Sequence, residues 1–129
     1  MKSNSLQTIL SGTTGFLPAA VLFLLLFMAY NTSCFAGTTE EITHLLSFIE
    51  TSECTFIRNG KEYPSQNARK HIQQKYEYLH NRITNAEEFI QNTASRSSIS
   101  GEPYRVVCNN REMTAADWLT EELDKLRTR

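Results

Sequence analysis

Surplus positive charge is the first thing this 129-residue chain lacks: 13 Lys and Arg stand against 14 Asp and Glu, a formal net charge of −1. That balance carries no electrostatic footprint for nucleic acid. Close cysteine spacings are missing too, since Cys34, Cys54 and Cys108 lie far apart. His44, His71 and His80 form no i, i+4 pair, so neither pattern offers a zinc set, and no metal or cofactor is expected. There is also no nucleophile-elbow phrase. A hydrolase would have to recruit Ser98 or Ser100 with His71 and Glu87, a set that nothing in the spacing singles out. The expectation is a protein that is not an enzyme, with a small hydrolase as an alternative.

Long apolar runs are scarce, and the one present is informative. Phe16 to Tyr30 (FLPAAVLFLLLFMAY) follows a stretch whose only charge is Lys2, and the polar NTSCFA comes next. The run is too short to span a bilayer comfortably, and its flanks are those of a secretory signal. The expected cut follows Ala36, with Cys34 at the small position two residues upstream. The alternatives are an uncleaved anchor, or a lipid anchor at Cys34, although Asn31 stands where a lipoprotein box carries a Leu-like residue.

Cleavage leaves residues 37–129 as one small domain with no stable membrane insertion. It removes one of the 13 basic residues and none of the acidic ones, for a formal charge of −2. Cys54 and Cys108 then sit in a compartment that permits disulfides. They are expected to be bonded, the other reading being two buried thiols. A loop of that length makes such a bridge worth about 4 kcal/mol in the chain-entropy picture.

Apolar residues at Ile42, Leu45, Leu46 and Ile49 predict an amphipathic helix from about Thr39 to Ser52, capped by Thr38 or Thr39, with Glu40 and Glu41 favoured by its dipole. His44 lies off that stripe and reads as solvated. CTFIRNGKEY (54–63) is a β-hairpin, because Asn59-Gly60 tolerates the positive φ that a two-residue turn needs. The register follows: Arg58 faces Lys61, Ile57 faces Glu62 and Phe56 faces Tyr63. Pro64 stops the strand and Ser65 is the expected cap of the next helix.

Ala68, Ile72, Tyr76, Leu79 and Ile83, then Ala86, Ile90 and Ala94, continue one stripe. Thr84 with Glu87 has the form of a capping box, so two helices meeting near Thr84 are expected over 65–95, an unbroken helix being the alternative. ASRSSISGEP (94–103) is a break without periodicity. A second hairpin over about 104–113 turns at Asn109-Asn110, and a last helix from Thr114 to about Arg127 turns Ala115, Leu119, Leu123 and Leu126 inward, with Trp118 at the edge of that face. NGKEYPS and NNREMT repeat the order turn, basic residue, Glu, apolar residue, cap. The fold class is therefore α+β, a small antiparallel sheet of two hairpins with about four helices on one side.

FIRNG, the helix with Ala68 and His71, RITNAEEFI and ASRSSISGEPYRV together resemble the YfeK-like proteins, a family of small exported bacterial proteins of unknown function. The resemblance covers about residues 54–107. It implies a bacterial, periplasmic location and brings no activity.

The surfaces picked out for ligand or partner binding, with an unknown protein or envelope component as the partner, are Arg58 and Asn59 at the hairpin tip and Ser98, Ser100, Gly101 and Tyr104 in the serine-rich loop. Against this, the hydroxyls of Ser95, Ser97, Ser98 and Ser100 can simply satisfy backbone groups, and Arg58 can pair with an acid on a neighbouring helix. Ser100-Gly101-Glu102-Pro103-Tyr104 also fits the S-G-x-x-Y phrase of bacterial lysozyme inhibitors, whose loop resembles this one in placing a hydroxyl against the target's catalytic carboxylates.

Overall fold

A computed structural model describes residues 33–129 of the chain. The apolar run and its basic leader lie outside these residues, and among the described residues no helix is long and apolar enough to cross a membrane. The described residues form four α-helices and four strands in the order α1 (Ser33–Thr51), β1 (Thr55–Arg58), β2 (Lys61–Pro64), α2 (Ser65–Leu79), α3 (Ala86–Phe89), β3 (Arg105–Cys108), β4 (Arg111–Thr114) and α4 (Ala115–Arg127). The architecture is α+β, as the patterning predicts.

Both hairpins form where the turn chemistry places them. Asn59 and Gly60 take φ of 50° and 74°, and Asn109 and Asn110 take 50° and 61°, so both turns have the paired left-handed residues that match the twist of the strands. Phe56 pairs with Tyr63, Ile57 with Glu62 and Arg58 with Lys61. In the second hairpin Val106 pairs with Met113 and Cys108 with Arg111. The two hairpins join through β1 and β3 into one antiparallel sheet of order β2-β1-β3-β4, with Phe56 opposite Val106.

Every element of the first hairpin has a counterpart fifty positions on: Phe56 and Val106, Lys61 and Arg111, and the first helical residues Ser65 and Ala115. Phe56 pairs with its own counterpart, so a pseudo-two-fold axis passes through that pair. One step beyond the paired residues at one end stand Cys54 and Cys108, which are disulfide-bonded with Cα atoms 4.9 Å apart. The strand register itself brings them together.

The helices bury their stripes against one face of this sheet. Ile42, Leu45 and Ile49 from α1, Ala68 and Ile72 from α2, Ala86 and Phe89 from α3, and Leu119 and Leu123 from α4 form one core with Phe56 and Val106. Trp118 seals it, stacked on Phe48 at 4.4 Å and edge-on to Phe56 at 5.6 Å. Each large side chain so buried is worth about 1.5–3 kcal/mol relative to exposure.

Several expected helix ends move. α1 begins at Ser33, so Thr38 and Thr39 lie within it and Glu40 and Glu41 beyond its first turn. Pro64, not Ser65, is the N-cap of α2, and the Ser65 hydroxyl donates to the Glu50 carbonyl at 3.1 Å, tying α2 to the end of α1. The break near Thr84 is real but one residue out of the expected register: after the 3-10 turn His80–Arg82, the Asn85 side chain caps α3 by accepting from Glu88 N, and Glu88 reaches back to Thr84 N and Oγ1 at 2.8 and 2.9 Å. Asn is as good a cap as Thr, and here Asn85 has the extended backbone a cap needs. α3 then widens into a π turn at Ile90–Ala94. Thr93 Oγ1 donates to the Phe89 carbonyl and Ser95 Oγ to that of Gln91, contacts that compete with the regular helical ladder.

Reducing the Cys54–Cys108 bond, or replacing both residues by serine, removes a constraint worth about 4 kcal/mol. For a domain of this size we expect Tm to fall by more than about 10 °C; an unaltered melting curve in reductant would show that the bond contributes nothing to stability.

Candidate functional site

Continuing the β1–β3 register past its other end sets Arg58 against Tyr104, the pseudo-symmetric counterpart of the disulfide. Here the structure opens instead of closing. A cavity of about 310 Å³ lies over this end of the sheet, with Arg58, Tyr63, His71 and Tyr104 among its walls and Phe56, Ala68 and Ile72 in its lining. An adjoining recess shares those four polar residues and extends to Asn59, Lys75, Ser97, Ser98 and Ile99. The second half of the chain cannot build the same cavity, because Cys108, Met113, Glu121 and Cys54 stand where the first half has Arg58, Tyr63, His71 and Tyr104.

Each wall is held from a different element. Tyr104 is only 6% exposed; its N–H donates to the Ser95 carbonyl at 3.0 Å and its own carbonyl accepts from Ala115 N at 2.8 Å. Its hydroxyl lies 3.1 Å from His71 Nε2. Arg58, from the end of β1, lies over the ring of its neighbour Tyr63 with Cζ 4.7 Å from the centroid, and one terminal nitrogen donates to the Tyr63 hydroxyl at 3.3 Å. Lys75, one turn after His71 on α2, donates to the Arg96 carbonyl at 3.0 Å and sits 5.3 Å from the Tyr104 ring centre.

No carboxylate lines either hollow. Elsewhere five of the other seven arginines find acids: Arg69 with Glu50, Arg105 with Glu112, Arg111 with Glu121, Arg127 with Glu41 and Glu87, and Arg129 with Glu122. Among the described residues, no ion pair joins Arg58, Lys61, Lys70 or Lys75 to an acid. The uncompensated charge registers on its neighbours. Burial, then Arg58 and Lys75, push the His71 pKa below its ordinary 6.5. Burial and Arg58 lower that of Lys75, and burial raises that of Tyr104 against the opposing pull of Arg58. At neutral pH His71 is therefore a neutral imidazole and Tyr104 a protonated phenol, set among Arg58, Lys61, Lys70 and Lys75.

The six residues singled out for binding come together in part. Arg58 and Tyr104 face the cavity, while Asn59 and Ser98 line the adjoining recess. Ser100 Oγ donates to Asn59 Oδ1 at 2.6 Å, and Asn59 Nδ2 donates to Ser97 Oγ at 3.4 Å, so the hairpin tip and the serine loop are latched to each other. Gly101 takes φ +74°, which closes the loop through Gly101 N to the Ser97 carbonyl at 3.0 Å. Most of the serine hydroxyls are engaged within the protein: Ser95 bonds back to Gln91, and Ser97 accepts from Ile99 N and Ser100 N.

Three readings of charged residues change. Arg58 stacks on Tyr63 instead of pairing with an acid. His71, considered above only as part of a hydrolase set, is a wall of the cavity; its spacing from Ala68 and Lys75 on one helical face was the available signal. His44 is not simply solvated, since its Nε2 lies 2.7 Å from the carboxylate of the buried Glu122. Glu87, the carboxylate of the hydrolase set, is held by Arg127. Among the described residues, no group of three or more His, Cys, Asp or Glu is placed to hold a metal ion.

The family model described as "Family of unknown function (DUF5329)" matches residues 36–127. The chain is 36% identical over 86 residues to the "Uncharacterized protein YfeK" of Salmonella typhimurium (strain LT2), covering 66% of this chain and 72% of that protein. No solved structure matches.

The lowered His71 pKa works against acid stability. In the unfolded chain the imidazole takes a proton near 6.5, whereas the folded site resists it. The contribution is thus present above 6.5 and is lost as pH falls through the folded value. His71→Gln should flatten the fall of Tm between pH 7.5 and pH 5, and the His71 ring resonances of the native protein should titrate with a midpoint below 6.5.

Proposed function

We propose, from the premise that the chain belongs to the family of unknown function DUF5329, that it is a non-catalytic binding domain whose ligand carries an anionic group held at Arg58, His71 and Lys75. One observation carries the reading: Arg58 and His71 line both the cavity and the adjoining recess, Lys70 joins them in the first and Lys61 and Lys75 in the second, and no carboxylate lines either, while five arginines elsewhere have acidic partners. Holding like charges together without a counter-ion costs free energy, and a bound anion removes that cost. Arg58 supplies a planar fork suited to carboxylate or phosphate, His71 a ring that gains a proton as the anion arrives, and Lys75 a second charge. The S-G-x-x-Y hydroxyls support a lysozyme-directed role less well, because Ser100 Oγ donates to Asn59 and Tyr104 is buried.

The same proposal places the domain in the periplasm, exported by residues 1–36 and cut after Ala36. It is supported by Lys2 ahead of the apolar run, by the small residues near the cut, and by a disulfide whose partners the strand register aligns.

Thermal-shift and calorimetric titrations with inorganic phosphate, sulfate, acetate and larger carboxylates test this directly. A binding anion at a hundred times its Kd should stabilise the protein by about 2.7 kcal/mol. Arg58→Ala should weaken that binding at least about tenfold with little change in the Tm of the free protein, because the guanidinium's hydrogen bond and ring contact are with the half-exposed Tyr63 and it holds no ion pair. The reading is overturned if no anion of any class shifts Tm.

pH supplies an independent check. The groups facing His71 are Arg58 from β1, Tyr63 from β2, Lys70 and Lys75 from α2, and Tyr104 ahead of β3, with no acid among them. An anion placed there favours the imidazolium, so affinity should rise from pH 8 to pH 6, and binding near neutrality should take up protons from the buffer. Proton release would contradict the assignment of His71 to the site.

A further inference from the structure

We infer that the ligand is a small monocarboxylic acid with an apolar body, its carboxylate on Arg58 and its hydrocarbon part against Phe56, Ala68 and Ile72. This rests on the anion-binding reading and narrows it. Arg58 is held flat on Tyr63, and only one of its terminal nitrogens is engaged, by the Tyr63 hydroxyl. The remaining N–H groups lie in one plane, an arrangement that fits the two oxygens of a carboxylate. Lys75, half-buried like Arg58, already donates to the Arg96 carbonyl and lies against the Tyr104 ring. His71 and Lys75 add donors beside this fork, but only Arg58 presents a pair of coplanar N–H groups, the match for the two oxygens of a carboxylate.

The lining beside the fork is of the opposite character. Phe56, Ala68 and Ile72 are buried core residues that also line the cavity. Little of these three is exposed, but with the half-buried Ile57 they give the cavity an apolar floor that a small inorganic anion would leave wet and a hydrocarbon body would cover. The volume limits that body. About 310 Å³ is the lower end of small-molecule sites and admits a ligand on the order of ten non-hydrogen atoms. Ile99, 97% exposed on the latched serine loop, lines the adjoining recess, where a longer body would emerge.

Phenylacetate and hexanoate are suitable probes, compared by calorimetry with acetate, methyl phenylacetate and inorganic phosphate on residues 37–129 and on the full chain. Phenylacetate is expected to bind at least about tenfold tighter than acetate, which lacks the body, and than methyl phenylacetate, which lacks the charge. Phosphate should bind no better than acetate. Arg58→Gln should remove the preference for the acid over its ester, and amide resonances of Phe56, Arg58 and Ile72 should shift on titration with phenylacetate. Phosphate binding without phenylacetate binding, or equal affinity for acid and ester, overturns the monocarboxylate assignment; in the phosphate case the anion site stands. Absence of binding by every anion overturns both.

Discussion

The pairing of β1 with β3 is the contact on which the rest of this structure depends. A two-stranded hairpin is marginal by itself, and this chain has two, separated by two helices and a loop. Joining them back to back through Phe56 and Val106 turns two weak ribbons into a four-stranded sheet with a buried face. The join is non-local and carries a loop-closure cost in the unfolded chain. Cys54 and Cys108 lie one step past the paired residues, where a covalent bond reduces that cost without bending the strands.

The near-repeat of a strand-turn-strand-helix unit makes the two ends of this join equivalent by symmetry and different in chemistry. At one end two cysteines close the sheet, with Met113 packed beside the core. At the other, Arg58 and Tyr104 remain apart, and His71 and Lys75 come down from α2 above them. Arg58 and Lys75 at the open end are oriented by an aromatic ring and a carbonyl in place of an acid. Rings and carbonyls satisfy N–H groups without neutralising charge, so the hollow keeps a positive character.

The walls of that hollow are rigid for reasons remote from any ligand. Tyr104 is pinned through its backbone to Ser95 and Ala115, which sets the phenol relative to both the π turn and the start of α4. The Asn59 side chain locks the hairpin tip to the serine loop. Much of what looks like a binding motif in the serine loop is therefore framework, and the chemistry lies in residues that the framework holds. The partnership of His44 with Glu122 plays a similar framing part, linking α1 to α4 on another face of the core.

Residues close in sequence determined a good deal of this alone. Asn-Gly and Asn-Asn turns specify positive φ, and with it the hairpin register down to Phe56 opposite Tyr63; the apolar stripes specify which helix faces are buried. These are local consequences of backbone sterics and side-chain period. Caps were legible only to within a residue, because Thr84 and Asn85, or Pro64 and Ser65, compete for the same role and packing decides between them. Of the cavity, Arg58 and Tyr104 were legible as binding candidates, but their meeting with His71 and Lys75 was not. Arg58, His71, Lys75 and Tyr104 are ordinary one by one, and only the β1–β3 register and the seating of α2 bring them to one place. The tertiary structure alone decided that they meet without a carboxylate, because charge balance at a site depends on which elements converge there and not on the nearly neutral sum along the chain.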